Sequence, residues 1–180
     1  MKKIILLLFC SINCQTFAQN DSLQKERYEV INALYKDFNN EKRGRITLDR
    51  NFFPFLGLGS LISDKELMET LIGTCRDFKT RKEYSYFELL NQEEILQMTN
   101  QISDFEEFRR IDPKWISDKI QIKKDPENIY TAITLPLVYN NKAVVYRTNK
   151  DSAETLFVLV KEKDEWKVTC IKYLYILFDH

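Results

Sequence analysis

The side chains with the clearest chemical potential in this chain are two cysteines far apart in the sequence, Cys75 and Cys170. Two thiols can join in a disulfide when a protein resides in an oxidising compartment. Cysteine also persists as a buried, unreactive thiol, because it behaves as a small apolar side chain. Both alternatives remain open at this stage, since one sequence does not report the distance between the two residues.

The sequence offers almost no histidine for catalysis or metal binding, because the single histidine, His180, is the last residue. A Ser-His-Asp site, a Cys-His site and a histidine-rich zinc site each need an imidazole held in place by its neighbours. Both cysteines above are predicted on apolar faces, which raise the pKa of a thiol. No spacing matches a calcium loop, a phosphate-binding loop or a dinucleotide fingerprint. We therefore expect no catalytic nucleophile, no metal site and no cofactor.

Carboxylates are the remaining catalytic candidates, and their densest cluster is Asp104, Glu106 and Glu107. The number of Asp and Glu residues alone does not exclude a catalytic pair of carboxylates like that of a glycosidase. Arg109 and Arg110 follow directly, so the cluster is more typical of a solvated surface that neutralises itself. The sequence thus favours a protein without enzymatic activity.

Residues 51–62 are strongly apolar but follow neither helical nor strand periodicity, and they include Pro54 and two of the four glycines. Such a stretch is either a buried connection or the wall of a ligand pocket or docking patch. Tyrosines of the C-terminal strands could face it, with ordinary cross-strand pairing as the alternative. The candidate ligand or partner patch consists of Phe52, Phe53, Phe55, Leu58, Tyr130, Tyr146, Tyr173 and Tyr175.

The first 18 residues have the features of an export signal. Lys2 and Lys3 precede a short apolar run at residues 4–9, and residues 16–18 approximate a cleavage site. The run is far shorter than the roughly 20 residues of a membrane-spanning helix. We expect a periplasmic or secreted protein with no transmembrane segment in the mature chain, and acylation at Cys10 or Cys14 is the less favoured alternative.

Composition limits the remaining classes. The 27 basic residues equal the 27 acidic ones, and removal of Lys2 and Lys3 with the signal would leave 25 against 27. Charges of both signs are interspersed, so no basic field predicts nucleic-acid binding. Residues 19–180 are expected to form a single α+β domain, which is long enough to bury a core.

Three helices are predicted before the strands, at residues 21–38, 63–78 and 92–105. Apolar residues recur at helical spacing in each, and Ser63 and Asn91 begin capping-box patterns. The second helix would place Cys75 on its core-facing stripe. Shorter signals predict a strand near residues 84–87, a helical turn at 112–115 that anchors Trp115 against the core, and a strand at 120–122.

Four apolar runs follow, at residues 130–139, 143–148, 154–162 and 166–178, separated by short polar turns. Connections this short predict an antiparallel meander. The last two runs are apolar on both faces and belong in the middle of the sheet, whereas Pro136 places the first run at an edge or bulge. Strict alternation puts Val168, Cys170 and Leu174 on one face.

Several segments resemble a group of small exported bacterial proteins of unknown function. Members of that group often carry Gly and Cys in the turn after the second meander strand, whereas residues 147–152 contain neither. The resemblance therefore implies export and a similar fold, and nothing for that turn. The segments that carry it are residues 90–95, 101–102, 114–115, 135–137, 142–146 and 165–168.

The predicted fold is thus α+β, with about three N-terminal helices packed on a C-terminal four-stranded antiparallel meander, and this order resembles the cone-shaped NTF2-like fold. Likeness of architecture carries no function by itself. Our leading hypothesis is an exported, non-enzymatic envelope binding or accessory protein. The alternatives are an NTF2-like pocket that binds or transforms a small apolar ligand, and a protein-interaction or inhibitor module.

Overall fold

The computed structural model describes residues 21–36, 46–52, 62, 74–77, 80–106, 108–123, 131–149 and 152–174. The predicted signal peptide, both candidate acylation sites and the patch candidates Phe53, Phe55, Leu58, Tyr130 and Tyr175 lie outside these ranges. Within them, none of the helices has the length and apolar character needed to cross a membrane.

A mainly antiparallel sheet of seven strands forms the centre of the protein. Its hydrogen-bonded order is β3-β2-β9-β8-β7-β5. Strand β6 also pairs with β7, at residues 142–144, whereas β5 pairs with residues 147–149 of β7. The strands are β2 (Thr74–Arg76), β3 (Glu83–Ser85), β5 (Thr131–Ile133), β6 (Leu137–Tyr139), β7 (Lys142–Asn149), β8 (Ser152–Glu162) and β9 (Glu165–Leu174).

Tight turns join β6 to β7 and β8 to β9, as the short polar separators predicted. Asn140 and Asn141 have φ of 48° and 60° between β6 and β7, and Lys163 and Asp164 have φ of 49° and 63° between β8 and β9. Positive φ at both central residues is typical of the turns whose twist matches antiparallel strands. The meander and the central position of β8 and β9 are confirmed.

The fold class predicted above is wrong in two respects. The sheet has seven strands rather than four, because β2 and β3 extend it beyond β9 and because the first apolar run forms two strands, β5 and β6. Pro136 separates these two, since proline cannot donate to a ladder. The helices also do not form an N-terminal group, because α2 (Tyr86–Leu89) and α3 (Gln92–Asn100) lie in the chain between β3 and β4 (Ile120–Lys123). The NTF2-like cone was predicted from both of these features, so that prediction is wrong as well.

The covering elements come from several parts of the chain. Helix α1 spans residues 21–36, and helices α2 (Tyr86–Leu89) and α3 (Gln92–Asn100) precede a 3-10 helix at Gln101–Glu106. Helix α3 begins where the capping box predicted, with the Asn91 side chain accepting from the Glu94 amide at 2.9 Å. A separate pair of parallel strands consists of β1 (Ile46–Asp49) and β4 (Ile120–Lys123).

Buried side chains form a core on each side of the sheet. We call the side that packs against α1 the α1 face, and the side that packs against α2 and α3 the disulfide face. The α1 face includes Tyr28, Ile31, Leu34, Tyr35, Leu48, Phe52, Ile111, Ile120, Val145, Phe157, Leu159, Trp166, Val168 and Ile171. The disulfide face includes Ile62, Cys75, Tyr86, Leu90, Ile95, Met98, Leu137, Val144, Tyr146, Leu156, Val158, Cys170 and Leu174.

A β-bulge in β9 changes which side chains share a face. Val158 pairs with Cys170, whereas the next residue, Leu159, pairs with Val168, so Thr169 is the extra residue. An extra residue interrupts the two-residue alternation of a strand. Val168 therefore packs on the α1 face, and the prediction that it shares a face with Cys170 is wrong.

The predicted helix over residues 63–78 does not extend to its expected end. Cys75 lies in strand β2, where it pairs with Tyr84 of β3, and Arg76 pairs with Ile171 of β9. Pairing with the edge of β9 stabilises an extended backbone there, despite the helical spacing of the apolar residues. Most of the remaining predicted helix, residues 63–73, lies outside the described residues.

Candidate functional site

The patch residues chosen from the sequence do not come together where the structure describes them. Phe52 is buried in the core of the α1 face, and Tyr146 is buried in the core of the disulfide face, on the opposite side of the sheet. Tyr173 of β9 is exposed. Burial raises the pKa of Tyr146, and a hydrogen bond with Glu154 raises it further, so this phenol stays protonated and structural.

Cys75 and Cys170 are joined by a disulfide, with their Cα atoms 5.4 Å apart. Both residues are 1% exposed, in the core of the disulfide face. Strand β2 lies directly beside β9, which brings two residues 95 positions apart within bonding range. The bond removes both thiols from nucleophilic chemistry, so any function of this chain must use other groups.

A group of cationic side chains lies where the end of β1 meets the segment that precedes β4. The Arg50 amide donates to the Lys123 carbonyl at 2.9 Å, and the Ile111 amide donates to the Arg50 carbonyl at 2.8 Å. Asn51 and Arg110 form an antiparallel bridge. These contacts place basic residues from three segments side by side near the start of α1. The cationic surface is defined as Lys25, Arg50, Arg109, Arg110, Lys114 and Lys123.

An exposed tryptophan lies within this surface. Trp115 ends a 3-10 helix, Pro113–Trp115, whose first turn is capped by Asp112, as the sequence predicted. The expectation that Trp115 anchors into the core is wrong, because 45% of the residue is exposed. Its ring instead stacks on Tyr28 of α1, with centroids 6.2 Å apart and planes 21° apart. The Lys114 ammonium lies 5.5 Å from the centroid of the same ring. The indole is thus partly covered by Tyr28 and Lys114, and the rest of it faces solvent.

Hydrogen bonds from α1 hold the tryptophan segment in position. The Asn32 side chain donates to the Trp115 carbonyl at 2.9 Å and accepts from the Ser117 amide at 2.8 Å. The Tyr28 hydroxyl accepts from the Asp112 amide at 2.8 Å, and burial raises the pKa of this phenol. Because three backbone groups are fixed by side chains of one helix, the indole position is preorganised.

Most cations of the surface keep their charge available. Lys114 pairs with Asp112 at 3.0 Å, and this contact lowers the pKa of the Asp112 carboxyl. Among the residues that the structure describes, no carboxylate forms an ion pair with Lys25, Arg50, Arg110 or Lys123. The surface therefore carries a local positive charge although the whole chain has equal numbers of acidic and basic residues.

Two grooves cross this surface and meet at Arg110 and Asp112, which line both. The groove beside Trp115 and Tyr28 has a volume of about 840 Å³, and the groove beside Arg50 and Lys123 has a volume of about 420 Å³. Within the described part of the chain, no cluster of three His, Cys, Asp or Glu side chains is arranged to hold a metal ion. The arrangement suits non-covalent binding of an anionic group beside an aromatic ring.

Sequence reasoning missed this surface because it paired the wrong charges. Asp104 and its acidic neighbours were expected to neutralise Arg109 and Arg110. Instead Arg27 is 1% exposed and pairs with Asp104 at 2.8 Å. The guanidinium also lies 5.7 Å from the Phe108 ring centroid. Its position one residue before Tyr28, near the apolar stripe of α1, was the only available signal.

Comparisons with family models, with curated proteins and with solved structures found no match to this chain.

Proposed function

We propose that this chain is an exported, non-enzymatic binding protein that holds an anionic polysaccharide on the cationic surface. The observation that carries the proposal is the exposed indole of Trp115, stacked on Tyr28 and surrounded by basic side chains. A flat aromatic face suits the apolar face of a sugar ring, and guanidinium groups suit carboxylate or sulfate groups. The two adjoining grooves provide room for several consecutive sugar units.

Export is part of this proposal. The signal-like residues 1–18 support it, and the buried disulfide supports it because such bonds persist outside the reducing cytoplasm. A periplasmic or secreted protein would meet acidic polysaccharides at the cell envelope. Soluble export remains favoured over acylation at Cys10 or Cys14, because Phe9 and Asn13 are not the small residues expected before a lipidated cysteine.

The two other functions considered from the sequence gain less support. A pocket for a small apolar ligand would need space between the helices and the sheet, where the described residues pack as two cores. A docking patch at residues 52–62 would need exposed side chains, yet Phe52 and Ile62 are buried at the two ends of that stretch. Of the two grooves on the cationic surface, the one beside Trp115 and Tyr28 instead combines aromatic and charged lining.

Binding of oligogalacturonate, a carboxylated sugar oligomer, tests the proposal. The oxidised protein should bind it with an affinity that falls as the salt concentration rises, because the contacts include charge pairs. Maltohexaose, a neutral sugar oligomer, should bind far more weakly. Polyglutamate tests the charge without the sugar, and tighter binding of polyglutamate than of oligogalacturonate would point to an acidic protein partner and overturn the proposal.

Variants of the surface then assign the contact. Trp115→Ala should weaken oligogalacturonate binding about tenfold or more, as expected for an aromatic anchor. Arg110→Gln should weaken it about threefold to tenfold and reduce the salt dependence. Lys167→Gln is the matched control, because it removes one exposed charge from β9 outside the surface. Equal effects of Arg110→Gln and Lys167→Gln would show that only net charge matters.

A further inference from the structure

The cationic surface contains an acidic group of its own, the carboxylate of Asp112. This residue lines both grooves, so a chain that occupies both must pass it. Its carboxylate pairs with the Lys114 ammonium at 3.0 Å. We propose that Asp112 competes with an anionic ligand for Lys114 and thereby limits the affinity of the surface for anions. Asp112 would act on the polysaccharide site described above, so the inference rests on that proposed function.

Asp112 holds Lys114 through two different contacts. One carboxylate oxygen accepts from the Lys114 backbone amide at 3.1 Å and so caps the 3-10 helix Pro113–Trp115. The other oxygen pairs with the ammonium of the side chain. A neutral asparagine at this position can keep the backbone contact through its carbonyl oxygen, but it cannot supply the negative charge. One conservative substitution therefore separates the capping contact from the ion pair.

The ammonium that Asp112 holds lies beside the aromatic ring of the proposed site. The Lys114 Nζ atom is 5.5 Å from the centroid of the Trp115 ring. Lysine carries its charge on a flexible four-carbon stem. The carboxylate of a sugar that stacks on this indole is therefore within reach of the same ammonium. The ligand and Asp112 are thus alternative partners for one cation.

The Asp112–Lys114 pair is exposed enough to exchange partners. The side chains of Lys114 and Asp112 are 68% and 41% exposed, whereas those of the Lys142–Glu94 pair are 26% and 6% exposed. Exposed ion pairs are weak, and breaking one changes an equilibrium by about fivefold at most. A ligand carboxylate can therefore replace Asp112, so the competition weakens anion binding without preventing it.

Two other roles for Asp112 predict different results. If Asp112 only capped the helical turn, an asparagine in its place would leave ligand binding unchanged. If Asp112 accepted hydrogen bonds from sugar hydroxyl groups, loss of its charge would weaken the binding of charged and neutral sugars alike. Competition for Lys114 predicts instead that loss of the charge tightens the binding of acidic sugars only.

Asp112→Asn tests the competition with the same two sugar oligomers as before. It should tighten oligogalacturonate binding about threefold, because Lys114 no longer has to leave a carboxylate. Maltohexaose binding should stay unchanged, since a neutral sugar does not compete for the ammonium. An unchanged affinity for oligogalacturonate would overturn the proposal, as would weaker binding of both oligomers.

Glu162→Gln is the matched control. It also removes one exposed carboxylate that pairs with a lysine, because Glu162 lies 2.7 Å from Lys167. This pair lies at the adjoining ends of β8 and β9, outside the cationic surface. Since salt screens charges that lie away from a binding site, Glu162→Gln should leave oligogalacturonate binding nearly unchanged. Equal tightening by Glu162→Gln and Asp112→Asn would show that only net charge matters and would overturn the proposal.

A double substitution shows whether Asp112 acts through Lys114. When Asp112→Asn is introduced into Lys114→Gln, the gain in oligogalacturonate affinity should be smaller than the gain in the wild-type background, because no ammonium remains to compete for. An equal or larger gain without Lys114 would show that Asp112 repels the ligand directly, and the competition would be wrong.

The ion pair is also testable in the free protein. The hydrogen bond from the Lys114 side chain is the largest cause that lowers the pKa of the Asp112 carboxyl below its ordinary value of 3.8. Lys114→Gln should therefore raise this pKa, measured by ¹³C NMR of the carboxyl carbon. An unchanged pKa would overturn the competition without involving any sugar. Failure of both wild type and Asp112→Asn to bind oligogalacturonate would instead overturn the binding function itself.

Discussion

The two faces of the central sheet carry similar apolar cores, but they differ in cross-linking. On the α1 face, α1 is held by packing and by ion pairs such as Arg27 with Asp104 and Lys161 with Glu26. On the disulfide face, Glu94 of α3 pairs with Lys142 of β7 at 2.8 Å, and a covalent bond also joins Cys75 of β2 to Cys170 of β9 within the sheet. The proposed polysaccharide site involves α1, which is held by non-covalent contacts.

Ion pairs therefore help to hold a helix on each face, whereas the sheet beneath the disulfide face is also cross-linked covalently. Strands β7, β8 and β9 contribute to both cores through alternate residues. The two faces therefore share a scaffold, and damage to one can be compared with damage to the other in the same protein. Three changes test this comparison in order of expected size.

The largest effect should follow loss of the disulfide. Replacing Cys75 and Cys170 together by Ala should lower the free energy of unfolding by about 2–4 kcal/mol, because the bond closes a loop with a sequence separation of 95 residues. Urea unfolding measures the loss. Reduced wild-type protein is the control, since it keeps every core atom but lacks the bond. A midpoint that is the same with and without reductant would contradict the prediction.

An intermediate effect should follow loss of the Arg27–Asp104 ion pair on the α1 face. Asp104→Asn removes one negative charge from beside a nearly fully buried guanidinium that also donates to Gln101, which should cost about 1–3 kcal/mol. The estimate is reduced because the Asp104 side chain is 33% exposed. Thermal or urea unfolding of the variant gives the value.

The matched control for that variant is Glu83→Gln, which breaks the Arg76–Glu83 pair. Both of those side chains are more than half exposed, so the change should alter the unfolding free energy by less than about 0.5 kcal/mol. Equal losses of unfolding free energy in Asp104→Asn and Glu83→Gln would show that the Arg27–Asp104 pair stabilises the protein no more than an exposed surface pair. That result would contradict the role given to this pair in holding α1.

The smallest effect should come from Lys161, which bridges β8 to α1. The hydrogen bond that Lys161 donates to Glu26 is the main cause that raises the Lys161 pKa above its ordinary value of 10.5, so the ammonium is favoured in the folded state. Lys161→Gln should cost less than about 1 kcal/mol at pH 7. The contribution is complete below pH 10.5 and is lost as the pH rises through the higher folded pKa.

Unfolding of wild type and Lys161→Gln side by side at several pH values measures this difference. Because both proteins share all other titrating groups, the difference between them should shrink above pH 10.5 even if both lose stability there. A difference that grows with pH would show that the ammonium does not stabilise the folded protein.

The part of the fold predicted from sequence is the part in which local pattern and tertiary contacts agree. Strands β7, β8 and β9 have long apolar runs and tight turns, and α3 has a capping box, so each was recognised. Strands β1 and β2 have only four and three residues. Their extended backbone depends on partners elsewhere in the chain, which local periodicity does not record. The bulge at Thr169 was missed for the same reason.

The candidate site was harder to predict because its residues are brought together by pairings that no local pattern specifies. The turn before Trp115 followed from Asp112 and Pro113, but the exposure of the indole depends on its stacking against Tyr28. Likewise Asp104 pairs with Arg27, which is distant in the sequence, rather than with the nearby Arg110. The apolar patch was predicted from its composition, yet Phe52 is buried in the core of the α1 face.

The position of the disulfide in the chain has a consequence for the products of proteolysis. Residues 75–170 form a covalent loop that includes α2, α3 and strands β3 to β8. One cut of the backbone anywhere inside this loop leaves the two fragments linked through sulfur. A cut between α1 and β1 instead frees α1 from every covalent connection to the sheet, and with it one wall of the groove beside Trp115.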